Sequence, residues 1–457
     1  MAVQTGGRER SMPTTTMMPP SAGEQARALW LSTVAFTVCF AAWTIFSILG
    51  VQIKKDLGLS DSQFGLLVGT PILVGSLIRL VLGIWADQYG GRIVYTAVML
   101  CAALGTFLLS YAYDYTTFLI AALGVGISGG SFAVGIAYVS KWFPKEKQGT
   151  ALGIFGAGNV GAAVTKFLAP VIMVAFGWKM VAQLWALGLL VTAIVFWFAT
   201  RDDPDLAARR ARGAKPESFA AMMAPLANLQ VWRFSLYYFF VFGGFVALAL
   251  WLPRYYVGVY GLDIVTAGLL GAAYSIPGSL FRILGGTLSD KHGARAVMYW
   301  TFIGSVICTF LLSYPATTYV VNGIRGPVEF TIAIGFIPFT LLTMVLGFFM
   351  SLGKAAVYKH IPVYYPDRVG SVGGVVGLIG GLGGFVLPIT FGVLNDWLGV
   401  WTSCFMLMFL IVSVSLIWMH GAIRLMERAQ HPALRHPADL PEAMSMGPRA
   451  PSPPAGR

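Results

Sequence analysis

An all-α integral membrane protein, with twelve transmembrane helices in two six-helix bundles, is the fold class the sequence predicts, and three observations carry it. Composition comes first: 57% of the 457 residues are hydrophobic and only 11% are charged, against roughly 25% charged in an ordinary soluble domain. Next comes a set of twelve apolar runs, each near the ~20 residues a helix needs to cross a bilayer. Last is a repeat of one half of the chain in the other. The same composition excludes a disordered chain, which needs low hydrophobicity and high charge. A disulfide scaffold is excluded too, because Cys39, Cys101, Cys308 and Cys404 stand singly in apolar stretches.

The runs fall at residues 28–50, 64–85, 92–112, 116–140, 150–174, 179–200, 232–253, 264–287, 295–315, 334–360, 370–394 and 399–424. Residues 1–27 are polar, carry Pro19-Pro20 and lead into a run too long for the apolar core of a signal peptide. They read as a disordered tail. Residues 28–200 hold the first bundle, 201–231 a polar linker and 232–424 the second bundle, and 425–457 read as a second disordered tail.

Basic residues orient the chain. With the N-terminus in the cytoplasm, 22 of the 31 Lys and Arg lie in the tails and cytoplasmic loops. Five lie on the other side (Lys54, Lys55, Lys179, Arg254 and Arg325) and four inside spans. An excess of this kind marks the cytoplasmic side, so both termini and the linker are expected there. The net charge of +12 is then a topology signal, not a nucleic-acid footprint, because it is spread over short loops.

The repeat has an offset of 203 residues: GSLIRLVLGIWADQYGGR from Gly75 and GSLFRILGGTLSDKHGAR from Gly278 agree at eight of 18 positions, Arg79/Arg282, Asp87/Asp290, Gly90/Gly293 and Arg92/Arg295 among them. Duplicated halves are the mark of a transporter with its site between two bundles. The stretch Gly83-x-x-Ala86-Asp87-x-x-Gly90-Gly91-Arg92 resembles the signature loop between helices two and three of the major facilitator superfamily, and Asp290-x-x-Gly293-x-Arg295 resembles its degenerate copy. The resemblance implies the superfamily fold, with Asp87, Arg92, Asp290 and Arg295 latching helix ends in one state and releasing them in another. A plain solvated turn is the alternative.

Four cations stand where charge is expensive. Arg79, Arg282, Lys166 and Lys354 lie within spans, at a cost of at least ~2.5 kcal/mol each near the bilayer centre. All 19 Asp and Glu fall in tails, loops or helix ends, so a buried ion pair does not explain the arginines, although Lys354 is near enough to a helix end to snorkel. Unpaired guanidinium groups call for an anion, and their planar forks suit a planar oxyanion.

Helices five and eleven are glycine-rich, GTALGIFGAGNVGAAVTKFLAP and GSVGGVVGLIGGLGGFVLP. Such density permits close backbone approach in a membrane and suggests two helices sliding past each other around a small cavity, with generic tight packing as the alternative. Gly158-Asn159-x-Gly161 with Pro170, and Gly377-x-x-Gly380-Gly381-x-Gly383-Gly384 with Pro388, resemble the paired signatures of the nitrate/nitrite porter family. That resemblance implies a bound nitrate between Arg79 and Arg282, Asn159 as a further donor, and aromatic contacts from Phe132, Tyr238 and Phe242. Tyr237 is an alternative to Tyr238, and helix ten should add Phe348 or Phe349. It makes Gly158, Gly161, Gly377, Gly380 and Gly381 the gating glycines. Nitrate is planar and weakly hydrated, so in-plane donors and facing rings suit it, whereas a tetrahedral dianion would gain little from stacking.

Lys166 and Lys354 also resemble the proton-coupled branch of that family, where the exchanger branch has uncharged residues. The expectation is therefore nitrate–proton symport for uptake, with Lys166 and Lys354 as coupling groups and His360 as a further candidate. Nitrate/nitrite exchange is the alternative, and nitrite stays open as a substrate. Nitrate, protons and the lipid bilayer are the expected partners of a monomer. No nucleophile constellation, metal cluster or cofactor fingerprint appears in the sequence, so an enzyme is not expected. An anion receptor would carry a larger soluble output domain than the 201–231 linker.

Overall fold

Apolar runs in a bilayer must satisfy their amides internally and so become helices. In the computed structural model the described residues are 21–204, 206, 223–365 and 369–430. Among them are twelve helices long and apolar enough to span a membrane: α1 Ala22–Leu57, α2 Asp61–Ala86, α3 Gly91–Leu109, α4 Tyr115–Ser140, α5 Thr150–Phe176, α6 Trp178–Ala199, α7 Leu229–Tyr260, α8 Ile264–His292, α9 Ala294–Leu312, α10 Phe336–Ile361, α11 Val372–Leu398 and α12 Ser403–Met426. The face where α1 begins and α12 ends is called the terminal face below, and its opposite the far face.

Several boundaries differ from the apolar runs because polar residues extend helices past them. Ser21 accepts from the Glu24 amide while the Glu24 carboxylate accepts from the Ser21 amide, a reciprocal cap that starts α1 at Ala22. Residues 22–27 are therefore helix, not tail, and the expected disorder before them lies outside the described residues. At the other end the helix of α12 runs on to Gln430, past the expected limit at 424, and the remaining tail lies outside the described residues. Of the linker 201–231 only 201–204, 206 and 223–231 are described. Asn228 caps α7 by accepting from the Gln230 amide.

Between α9 and α10, residues that form no apolar run make an antiparallel hairpin on the far face, β1 Thr317–Gly323 with β2 Gly326–Ile332. Their Thr, Tyr, Val and Phe content suits strands, a signal masked in the sequence by the stronger helical hydropathy on both sides.

The repeat is visible in the backbone. Gly90 and Gly293, equivalent positions, have φ of +97° and +84°, where a side chain is strained. Gly75 and Gly278 are both covered by an aromatic from the first helix of their half: a Cβ would lie 2.6 Å from the Trp43 indole nitrogen in one case and 2.2 Å from the Phe245 ring in the other.

Two long seams join the halves, α2 along α11 and α5 along α8, and the second part of α1 also meets α7. The glycine helices thus run against the partner half rather than along each other, which corrects the sliding-pair expectation. Toward the far face the seam is closed to backbone contact. A Cβ on Gly65 would lie 2.3 Å from the Pro388 carbonyl oxygen, and one on Gly392 2.2 Å from that of Asp61. Asp61 is buried there, with Lys54 at 3.0 Å and Arg254 at 3.2 Å, and it accepts from the Asn395 amide. Asp396 accepts from the Asp61 and Ser62 amides at 3.0 and 2.8 Å. Nearer the terminal face the seams are looser: a Cβ on Gly153 comes no closer than 4.0 Å to the partner half at Ile283, and one on Gly374 is 3.7 Å from Leu80.

Candidate functional site

Among the described residues, five of the spanning helices depart from regular α geometry. In α1 a turn over Thr44–Ile45 stands next to Trp43. In α4, Ile127–Gly130 tightens into a 3₁₀ turn, as does Ala157–Val160 in α5. In α7, Phe239–Gly244 widens into a π-helix. In α8 the helix breaks at Phe281, four residues after Pro277. Such irregularities free backbone groups and re-aim side chains, and they gather at functional sites.

Arg79 and Arg282 sit among them, both buried. Their guanidinium carbons lie 5.3 and 5.5 Å from the centre of one ring, Phe132 of α4. Arg79 also lies 5.2 Å from Trp43 and 5.3 Å from Phe242. Its Nε donates to the Gly129 carbonyl of the 3₁₀ turn at 3.3 Å and its Nη1 to the Gly377 carbonyl of α11 at 3.5 Å. Arg282 is the first helical residue after the Phe281 break, and its Nη1 is buried without a partner. The approach of α5 to Arg282 requires Gly156, since a Cβ there would lie 3.0 Å from Nε.

Asn159 is fully buried, with neither its amide nitrogen nor its amide oxygen paired. The hydroxyl of Ser76 is likewise orphaned, and only a glycine at 381 leaves it room. Buried polar atoms normally have partners. Ser76 shares the approach of Gly381 with Arg79, and Asn159 follows by three residues the Gly156 that faces Arg282. Unpaired polar groups near two buried guanidinium groups are what an anion-binding site presents.

The aromatic expectations resolve geometrically. Phe132 and Phe242 stack at 6.4 Å across the halves. The π-helix sets Tyr238 parallel to Phe242, at 5.0 Å and 6°. Tyr237 packs against Phe302 and Phe234 instead, away from the arginines. Helix α10 corrects the expectation of Phe348 or Phe349: Phe348 meets Phe281 at 4.9 Å and Phe349 fills the space over Gly304 in α9. The α10 aromatic beside the site is Tyr358, edge-on to Tyr238 at 5.0 Å and donating to the Gly373 carbonyl at 3.3 Å. Only its place three turns after Phe348 could have pointed to it.

Both lysines are fully buried, so Lys354 does not snorkel, and both grip α8 within one turn, just before its break. From α5, Lys166 donates to the Ser275 hydroxyl at 2.8 Å and to its own Ala162 carbonyl at 3.3 Å. From α10, Lys354 donates to the Gly278 carbonyl at 2.5 Å and lies 3.4 Å from the centre of the Phe245 ring. His360 lies two residues past Tyr358 and packs on Phe234 at 5.4 Å.

The glycines expected to gate divide by what a Cβ would meet. A Cβ on Gly158 would meet Phe36 at 2.6 Å and one on Gly161 the Thr37 carbonyl at 2.1 Å, both inside the first half. A Cβ on Gly377 would meet the Tyr358 hydroxyl at 2.8 Å, and one on Gly380 the Tyr238 ring at 2.3 Å. On Gly381 it would meet Ser76 at 2.5 Å and Arg79 at 3.2 Å, both in the opposite half. At the terminal face Arg92 holds the end of α6, its Nε 3.0 Å from the Trp197 carbonyl and its charge 4.2 Å above the Trp197 ring. Asp290 pairs with Lys359 of α10 at 2.6 Å. Arg295 follows the Gly293 turn, and the side chain of Asp87 lies outside the described residues.

The model of the Major Facilitator Superfamily matches residues 31–345. The chain belongs to that superfamily. Within it, the chain belongs to the nitrate/nitrite transporters: it is 45% identical over 426 residues to a probable nitrate/nitrite antiporter of Thermus thermophilus, covering 89% of this chain and 94% of the relative. It is 34% identical to a probable nitrate/nitrite transporter of Mycobacterium tuberculosis, covering 81% and 90%. Among solved structures, the inward-facing, occupied bacterial homologue of the human lysosomal transporter Spinster superposes with a TM-score of 0.63 at 17% identity, covering 92% of this chain and 100% of that one, a likeness of fold alone. The chain is thus a multi-pass membrane transporter and not an enzyme.

Proposed function

We propose that this transporter moves nitrate by alternating access, as a nitrate–proton symporter serving uptake, with both termini cytoplasmic. The observation that carries the substrate is the Arg79–Arg282 pair facing one Phe132 ring, with the amide of Asn159 and one Arg282 nitrogen left unpaired. A planar oxyanion between them receives in-plane hydrogen bonds from both guanidinium forks and ring contacts from Phe132 and Phe242. The names of the Thermus and Mycobacterium relatives agree with that substrate class.

Support for symport comes from the two buried lysines on α8. Lys354 holds α8 at Gly278, three residues before the break that carries Arg282, and Lys166 holds it at Ser275, six residues before. Loss or gain of a proton at either therefore changes how α8 is held next to the anion. The fixed positive charge near the site also supports the second reading, nitrate/nitrite exchange, because an empty cationic carrier reorients reluctantly. The Thermus relative is named an antiporter.

Nitrate uptake into proteoliposomes separates them. Symport predicts accumulation driven by an imposed pH gradient, acidic outside, with no anion inside, and loss of that dependence in Lys166→Met or Lys354→Met. Uptake that ignores the gradient and requires internal nitrite establishes exchange instead. Binding of nitrate without accumulation under any condition defeats both.

A further inference from the structure

Among the described residues no further strand extends the β1–β2 hairpin. Its register pairs Thr317 with Ile332, Tyr319 with Phe330 and Val321 with Val328. Residues directly opposite share a face, and so do residues two apart. One face therefore carries Thr317, Tyr319, Val321, Val328, Phe330 and Ile332, and the other, more polar, carries Thr318, Asn322, Glu329 and Thr331 with Val320 and Pro327 among them. Both strands are exposed along nearly their whole length, and at the turn Ile324 is 107% exposed. A lone two-stranded hairpin is marginal in water, and an exposed apolar face of this kind marks a surface that meets a partner or a membrane.

Its surroundings name the occupant. Only four residues separate β1 from the end of α9 and three separate β2 from the start of α10, whose Phe310, Phe336 and Ile337 are exposed as lipid-facing residues are. Tyr314, just past α9, meets Tyr319 hydroxyl to hydroxyl, and Tyr319 stacks on Phe330 at 5.6 Å. Tyr260 at the end of α7 donates to the Ile334 carbonyl at 3.0 Å, which ties the hairpin's exit to the far rim. Tyrosines so placed belong to the aromatic belt at a membrane–water boundary. The hairpin's two charges, Arg325 and Glu329, cancel, so nothing steers it toward a charged partner.

We propose that the Thr317–Ile332 hairpin is an interfacial anchor, its Tyr319–Phe330 face lying on the headgroup–acyl boundary of the far-face leaflet and its Glu329 face turned to water. It extends the lipid-facing belt of α9 and α10 sideways and fixes the depth of the second half's rim.

The test uses the full chain in nanodiscs of phosphatidylethanolamine and phosphatidylglycerol. Cys101, the exposed cysteine, is replaced by Ser, and spin labels are placed at Val328→Cys and, on the opposite face, Glu329→Cys. Reconstituted in parallel into proteoliposomes, both variants should transport nitrate normally, which checks folding apart from the anchor. Collision with a water-soluble nickel chelate should be about fivefold lower at position 328 than at 329, and collision with oxygen higher, as for side chains at the acyl boundary. Equal nickel access at both positions overturns the anchor. So does protection at 328 accompanied by dipolar coupling between labels on two copies, which assigns the face to a second copy of this chain.

Discussion

Arg79 and Arg282 come from one position of a duplicated half, yet the structure holds them differently. Arg79 lies on an unbroken stretch of α2, bound to one carbonyl from its own half and one from the other, and faces three rings. Arg282 follows a break, faces Phe132 and keeps a nitrogen unpaired. Duplication fixed where the charges sit, and later divergence fixed how firmly. The first half contributes the anchored arm and the second the arm with donors to spare.

The largest expected effect tests the charge pair and this asymmetry together. Lysine at either position keeps the charge but loses the fork, so nitrate uptake should fall at least ~100-fold in both Arg79→Lys and Arg282→Lys, about 2.7 kcal/mol of lost stabilisation. Stability should separate them. Arg79→Lys gives up two bonds from a charged donor, of the kind worth about 1.5–3 kcal/mol, and should melt lower, while Arg282→Lys should melt as the parent does. Thermal shift in detergent reads this out, and equal losses would erase the distinction. Wild-type uptake in Arg282→Lys would end the bidentate reading.

Next in size is Asn159. Its buried amide gains nothing from the protein itself, so Asn159→Ala should cost no stability and should raise the KM for nitrate about tenfold, the loss of one good hydrogen bond to a charged ligand. A lowered melting temperature with unchanged KM would instead make Asn159 a structural residue.

Much of this was legible in the sequence, for identifiable reasons. Apolar length is a bilayer constraint, so all twelve spans could be read from it. Gly90/Gly293 and Arg79/Arg282 are matched by a repeat that backbone conformation and charge enforce. Helix irregularities were not legible: the π-helix that pairs Tyr238 with Phe242 and the break before Arg282 depend on packing across the seam, and no hydropathy pattern encodes them. Tyr358 was missed for the same reason, since the register of α10 against the site is set by its neighbours. The hairpin was hidden because β-branched alternation is a weak signal between two strong helices.

The glycines of α5 and α11 extend the comparison of halves. Gly161 presses on α1 within its own half, whereas Gly381 faces Ser76 and Arg79 across the seam. Alanine at 161 should therefore destabilise the fold by about 1–3 kcal/mol, the usual cost of overpacking, with transport per folded molecule little changed. Alanine at 381 would press on the Ser76 side chain and the end of the Arg79 side chain rather than on backbone, so it should cost less stability than alanine at 161 and slow uptake severalfold. Thermal shift and initial rates measured on the same preparations decide, and the reverse pattern would make α5, not α11, the moving seam.

The smallest effect concerns the closed far face. Asp61, itself buried, joins Lys54 of its own half to Arg254 and Asn395 of the other. The two cations keep 16% and 17% of their side chains exposed at the rim, and ion pairs that water reaches from one side are worth about 1 kcal/mol each, the upper end for exposed pairs. Asp61→Asn removes the charge but keeps the shape, so it should shift the closed–open balance by no more than about fivefold, the equivalent of roughly 1 kcal/mol. A cysteine at Phe385, which packs behind the seam against Gly69, reports the shift in a Cys101→Ser background. Its labelling by a membrane-impermeant thiol reagent applied at the far face should quicken in Asp61→Asn and slow again when nitrate is added. An unchanged rate would mean that the backbone contacts at Gly65 and Gly392 alone keep the far face shut. The two halves would then be held apart or together by packing there, and by charge only around the anion.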